Sequence, residues 1–343
     1  QIHHTVHEPH RTKRPPIAFI MDLNVGHCYT NNNKSCIKLD REPETSLLLY
    51  FFSGVVIVAT VFGNLLVVIS VSHFKQLHTP TNFLVLSLAV ADFLIGLLVM
   101  PFEFSSTIEY CWYFGKGICP FYLNYAILLS SASVAHLVVI SMDRYIAVCH
   151  PFFYSSKMTN AVMAFCIALV WLVSLLFTLI FLHFSGGSID MEECDGLCRI
   201  IHSAFWWSVY LVFIFILIVA IQHAKALQNI RNEAQTVQKK KQKKGFMEKQ
   251  NKATITIGIV IGTFFLFISQ FHIFTLLSLF ITVSELGLNI PEYLLLFNFA
   301  LNPLIYGLFY PWFRKGFKCI ITCKIFKPDS SLINLQGGQS SSG

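Results

Sequence analysis

Five polar residues stand inside long apolar runs: Asn64, Asp92, Ser133, Asn298 and Asn302. A polar group in hydrocarbon is costly, so each is a functional candidate. Their oxygens suit a small hard cation such as sodium, or an ordered water network. The same atoms can also hydrogen-bond helices together, worth about 0.6 kcal/mol each; the two uses are compatible. A second constellation, Asp143-Arg144-Tyr145, sets a carboxylate beside a guanidinium that keeps its charge and offers five donors. No nucleophile–base pair or metal-ligand cluster appears, so an enzyme, a metal centre and a cofactor are not expected.

The elements that position these residues are long. Of 343 residues, 55% are hydrophobic and only 13% charged, with 33 phenylalanines. A soluble domain carries roughly 25% charged residues, so lipid is the expected solvent. Seven apolar blocks lie near 47–72, 82–104, 119–142, 161–184, 204–227, 254–283 and 291–310. Each is close to the ~20 residues that span a bilayer as a helix. They lack the alternation of barrel strands, and backbone groups in lipid must be satisfied internally. The expected fold is all-α, a seven-transmembrane helix bundle within residues 47–310.

Lys and Arg favour the cytoplasmic side. With the N-terminus outside, inner segments hold 17 of the 25 basic residues, and outer loops between spans keep just Lys116 and Arg199. The net charge of +7 is therefore a topology signal and not a nucleic-acid signal. The lysine run 239–244 faces anionic lipid in this reading. The expected localisation is the plasma membrane, multi-pass, with the N-terminus extracellular.

Six cysteines fall on the outer side: Cys28, Cys36, Cys111, Cys119, Cys194 and Cys198. Oxidising surroundings permit disulfides there, and many pairings are open. Cys319 and Cys323 follow span seven, placed either for palmitoylation or as free thiols. Asn33-Lys34-Ser35 is a glycosylation sequon. Residues 1–20 read as an upstream, non-native segment and 21–46 as the extracellular tail. Residues 311–343 form the cytoplasmic tail. It opens on Trp312-Phe313-Arg314-Lys315-Gly316-Phe317-Lys318, an apolar and basic mixture suited to a short amphipathic helix at the interface.

Gly63-Asn64, Leu88-Ala89-Val90-Ala91-Asp92, Asp143-Arg144-Tyr145, Trp171 and Asn302-Pro303-Leu304-Ile305-Tyr306 occur in order, each in its span. Together they resemble a rhodopsin-class G-protein-coupled receptor. The run from Asn298 to Phe313, with His73–Phe83 and Cys111–Gly115, resembles the trace amine-associated receptors. That resemblance implies a heterotrimeric G protein of the stimulatory type as partner, coupled through Asp143, Arg144, Tyr145 and Tyr306, and a small-molecule ligand. It also implies a Cys119–Cys198 disulfide and a second joining Cys194 to Cys28 or Cys36, which leaves Cys111 unpaired.

The sequence departs from that family where an amine would bind. The family's span-three aspartate, 18 residues before the motif arginine, is Ala126 here. The span-seven tyrosine that usually closes the amine pocket is Leu296, and Trp207 lies in a span-five region without a carboxylate. Span six reads Ile268-Ser269-Gln270-Phe271 in place of the usual Cys-Trp-x-Pro step. Proline would have bent that helix. Glu103 and Glu292 near the outer ends of spans two and seven either hold an amine in a relocated site or face water. Ser130 and His272 complete the expected pocket, His272 as a ligand handle or an interhelical hydrogen bond. Span seven has no lysine for a retinal Schiff base. The expected function is a chemosensory receptor for a small molecule other than a simple biogenic amine. A degenerate, non-signalling receptor is the alternative. A transporter or channel is less favoured, because no inverted repeat, broken helix or charged pore ring is visible.

Overall fold

The computed structural model describes residues 25–30, 32, 34–39, 41–149, 151–184, 194–198, 262–263, 266–267, 269–270, 273–274, 285–309, 311–333 and 335. Its first elements are two short antiparallel strands, β1 (Val25–His27) and β2 (Ile37–Leu39), with His27 opposite Ile37. Helices follow: α1 (Pro43–His73), α2 (Pro80–Leu98), α3 (Met100–Glu109), α4 (Ile118–Cys149), α5 (Pro151–Lys157) and α6 (Asn160–Phe184). After the stretch that contains blocks five and six come α7 (Glu285–Phe309) and α8 (Pro311–Ile321).

Four helices, α1, α2, α4 and α6, are each long and apolar enough to cross a membrane. α7 qualifies together with α8, from which it is bent by 97°. Blocks one, three, four and seven thus sit on α1, α4, α6 and α7. Block two is shared by α2 and α3, because Pro101 in the first turn of α3 has no N–H to continue the α2 ladder. Blocks five and six lie almost wholly outside the described residues.

Local chemistry sets the ends. Pro43 opens α1, and Pro80 opens α2 behind Thr79, whose hydroxyl accepts the Asn82 amide. α3 stops at Tyr110, which adopts a left-handed conformation at φ 58°. α2 packs against α1, α4, α6 and α7, so its middle is the centre of the described bundle. Leu84, Leu88 and Ile95 fill that core from α2, with Val67 from α1, Leu129 from α4 and Ala300 from α7.

Span one fits span seven through two adjacent residues. Pro303 lies inside α7 and cannot donate to the carbonyl of Phe299 four residues back. Asn64 Nδ2 donates to that freed carbonyl at 3.2 Å, and also to Thr60 O at 2.9 Å. Gly63 leaves space for the proline ring. A Cβ there would stand 2.6 Å from Pro303 Cγ.

α8 is amphipathic. Phe313 and Cys319 are buried, while Arg314, Lys315 and Lys318 are exposed. Gly316 lies against Ser70 and Phe74 at the end of α1. The chain then folds back, so that Leu335 is 1% exposed against Phe74, Leu77 and Cys319. Leu335 N donates to Gln76 Oε1 at 2.8 Å, and His73 Nε2 pairs with Ser330 Oγ at 3.0 Å.

Gly63→Val is therefore expected to destabilise the protein by overpacking, at about 1–3 kcal/mol. Gly54→Val, where nothing lies within 4 Å of a new Cβ, is the control. Melting of the detergent-solubilised proteins checks this: equal midpoints for the two variants would refute the Gly63–Pro303 contact.

Candidate functional site

Three polar centres and a disulfide-bonded cap lie along the described bundle. At its centre, Asp92 is fully buried on α2. Ser133 Oγ on α4 donates to Asp92 Oδ1 at 2.8 Å, and Asn302 Nδ2 on α7 donates to Oδ2 at 2.6 Å. One carboxylate thereby joins three helices. Asn64 and Asn298 are buried as well, and Asn64 Oδ1 and Asn298 Nδ2 have no partner among the described residues.

A second centre was not expected from the sequence. His136 on α4 is fully buried, with Nδ1 2.7 Å from Ala132 O and Nε2 2.7 Å from Ser87 Oγ. A carbonyl only accepts, so Nδ1 carries the proton and Nε2 accepts. Ser87 must then donate to His136, while its oxygen accepts from Trp171 Nε1 at 3.0 Å. This chain ties α6, α2 and α4 together, with the His136 and Trp171 rings edge to face. A histidine in the middle of an apolar block was the available signal.

The third centre is Asp143-Arg144-Tyr145 at the end of α4. Asp143 is 2% exposed and accepts from Arg144 Nε at 2.8 Å, Thr81 Oγ1 at 2.9 Å and Tyr154 OH at 2.9 Å. Arg144 also bonds Thr81, and Tyr154 OH at 3.0 Å, and its guanidinium lies over the Tyr154 ring. Burial raises the Tyr154 phenol above its usual range, so the hydroxyl stays protonated as a donor. Thr81 and Tyr154, absent from the sequence reading, hold Arg144 against Asp143. Tyr145 is half-buried and Tyr306 buried.

The cap is built on three disulfides: Cys28–Cys111, Cys36–Cys194 and Cys119–Cys198. The expectation that Cys111 is unpaired is corrected: β1 and its turn carry Cys28 to the end of α3, where Cys111 is buried beside it. That leaves Cys36 for Cys194. Ser35 and Asp195 pair as a parallel bridge, and Trp112 N donates to Gly196 O at 2.8 Å. Gly196 has φ +107°, and a Cβ there would meet Cys28 Cβ at 2.7 Å, so glycine is required. Lys116 and Asn32 both bond the Asp195 carboxylate and hold it below its usual pKa. Lys38 Nζ, 2.9 Å from Glu109 Oε2, holds that carboxyl down in the same way.

The expected ligand residues are distributed unevenly. Ala126 on α4 is half-buried against the core, and Leu296 on α7 is buried within it. Ser130 is half-buried on the same helix as Ala126. Glu292 on α7 accepts from Thr107 Oγ1 on α3 at 3.4 Å, and Glu103 lies one turn before Thr107. Ser269 donates to Leu266 O at 2.9 Å. Trp207, His272 and Asn33 lie outside the described residues. Cys319 is buried, whereas Cys323 is exposed just past α8.

Residues 63–306 match the family described as 7 transmembrane receptor (rhodopsin family). That match makes the chain a membrane receptor of this class, and not an enzyme. Among similar proteins, trace amine-associated receptor 9 of Mus musculus is 38% identical over 337 residues, covering 92% of this chain and 96% of its own. Trace amine-associated receptor 6 of Homo sapiens is 36% identical over 328 residues, covering 90% and 95%. Within the rhodopsin class, the chain belongs to the trace amine-associated receptor family.

The lowered Glu109 carboxyl gives the cap a pH dependence. Its stabilisation is complete above the ordinary glutamate range and is lost as pH falls through the lower folded value. Lys38→Met is expected to diminish the acid-induced loss of cap stability, read as amide-exchange protection of residues 34–39. Unchanged acid sensitivity would show that the Lys38–Glu109 pair does not supply it.

Proposed function

We propose that this protein is a chemosensory G-protein-coupled receptor for a small molecule other than a simple biogenic amine. It spans the plasma membrane seven times, with the N-terminus outside. Arg144, with Asp143, Tyr145 and Tyr306, couples it to a stimulatory heterotrimeric G protein. The observation that carries the ligand reading is Ala126, which stands where the family resemblance calls for aspartate. It packs on the apolar core whose α7 side includes Leu296. Removing one partner of a buried ion pair costs several kcal/mol, about 100-fold or more in affinity. Ser130, Trp207, Ser269 and His272 complete the pocket in this reading.

Supporting features have separate roles. Asn64, Asp92, Ser133, Asn298 and Asn302 form a water- or sodium-holding network, to which the unpartnered Asn64 Oδ1 contributes an oxygen. Asn33 carries a glycan. Exposure favours Cys323 over the buried Cys319 as the palmitoylated thiol. A second reading, a non-signalling receptor, rests on the span-six step: Gln270 Oε1 is buried with no partner among the described residues, in a segment without proline.

A cyclic-AMP assay in transfected cells, with matched surface staining, tests the proposal. No response to phenylethylamine or tyramine at low micromolar concentration is expected, and a response to a neutral or acidic compound is. Arg144→Ala should abolish that response. A robust low-micromolar amine response would refute the ligand reading, and full signalling by surface-expressed Arg144→Ala would refute the coupling assignment.

A further inference from the structure

Arg41 just before α1, Ser53 on α1 and Tyr293 on α7 each bury a polar atom, Nη1, Oγ and OH, that makes no well-formed hydrogen bond among the described residues, although the Ser53 and Tyr293 hydroxyls lie close enough to interact with each other. They converge on one place. Tyr293 on α7 lies beside Ser53 of α1 and within electrostatic reach of Arg41, Tyr110 and Glu292. Arg41 precedes α1 and bonds the Tyr110 hydroxyl, with its guanidinium 4.8 Å from the Tyr110 ring centre. Phe104 of α3 stacks on Tyr293 at 5.2 Å and supplies an apolar wall. Ser53 itself is 2% exposed.

Leaving one buried polar atom unsatisfied costs about as much as a hydrogen bond gains, and a charged group costs more. Three such atoms from neighbouring segments would be satisfied together by one polar group bound between them. All three atoms can donate, and one belongs to a guanidinium that cannot lose its proton. Donors around a fixed positive charge select an acceptor that carries negative charge. A carboxylate fits best, because one oxygen can accept from the remaining Arg41 Nη1 while the other accepts from a hydroxyl.

We propose that Arg41, Ser53 and Tyr293 form a binding site for the carboxylate of a small organic acid, with the acid's apolar body against Phe104. This deepens the reading of a receptor for a non-amine ligand and rests on it for the claim that the site is a ligand site. Glu292, which also acts on Tyr293, separates two sources of the same carboxylate. A plain acid uses Arg41 alone, whereas an amino acid also sets its ammonium against Glu292.

Binding to the full chain in lipid nanodiscs tests this independently of signalling. Three probes share one frame: phenylpropionate is an anion, phenylalanine a zwitterion and phenylethylamine a cation. Saturable binding of phenylpropionate or phenylalanine is expected, with phenylethylamine failing to compete. Arg41→Gln and Tyr293→Phe should each weaken that binding about tenfold or more. Glu292→Gln should weaken phenylalanine and spare phenylpropionate if the zwitterion is the ligand, and spare both if the plain acid is. Tyr293→Phe keeps the ring on Phe104 and removes only oxygen, so it decides the matter if Arg41→Gln fails to fold. No saturable binding of either carboxylate, or binding indifferent to a folded Tyr293→Phe, would show that the three atoms hold water and overturn the proposal. Carboxylate binding without a cyclic-AMP response would instead refute the signalling reading and leave this site standing.

Discussion

A polar group placed in lipid must find its partner inside the protein, and Asp92 is where that constraint bears hardest here. Its two oxygens are divided between Ser133 and Asn302, so one side chain fixes the relative positions of α2, α4 and α7. The neighbouring Pro303 applies the same rule in reverse. It withdraws a donor from α7, and Asn64 of α1 replaces it. Gly63, Asn64, Asp92, Asn302 and Pro303 thus form one mechanical joint. The helices that carry the Arg144 cluster at one end and the disulfide cap at the other are positioned from it.

Seen from that joint, the two ends of the molecule differ in kind. At the Arg144 end, Arg144 is held by Asp143, Thr81 and Tyr154, and α8 by the burial of Phe313 and Cys319. The opposite end is closed covalently, by disulfides that fasten the N-terminal strands to the end of α3 and to the loop around Asp195, and that loop to α4. Between them lie Ala126, half-buried on α4, and Leu296, buried on α7. Arg41 and Tyr293 lie nearer the disulfide-bonded end, on the α1 and α7 side.

Much of this was legible in the residues. Block lengths gave α1 and α6 to within four residues, because a bilayer sets helix length almost independently of sequence detail, whereas α4 runs on to Cys149 past block three and α7 starts at Glu285 ahead of block seven. Intramembrane polarity picked out Asp92, Ser133 and Asn302 before any contact was known. The same rule applied to His136 would have exposed the link to Ser87 and Trp171, but a neutral histidine carries no motif around it. Cys111 was misread because a pairing depends on where a short strand delivers its thiol, and spacing does not encode that. Thr81, Tyr154 and Arg41 lie outside the apolar blocks, where a polar side chain is ordinary and only the fold shows what it faces.

The joint is tested most directly by exchanging its two partners. Asn302→Asp sets two carboxylates against each other and is expected to lower the melting midpoint of the detergent-solubilised receptor strongly. Adding Asp92→Asn restores one amide and one carboxylate in reversed order, and should recover most of that loss. The expected coupling between the two sites is on the order of 0.5–3 kcal/mol. If the double exchange melts no higher than Asn302→Asp alone, the Asp92–Asn302 contact does not hold the bundle as described.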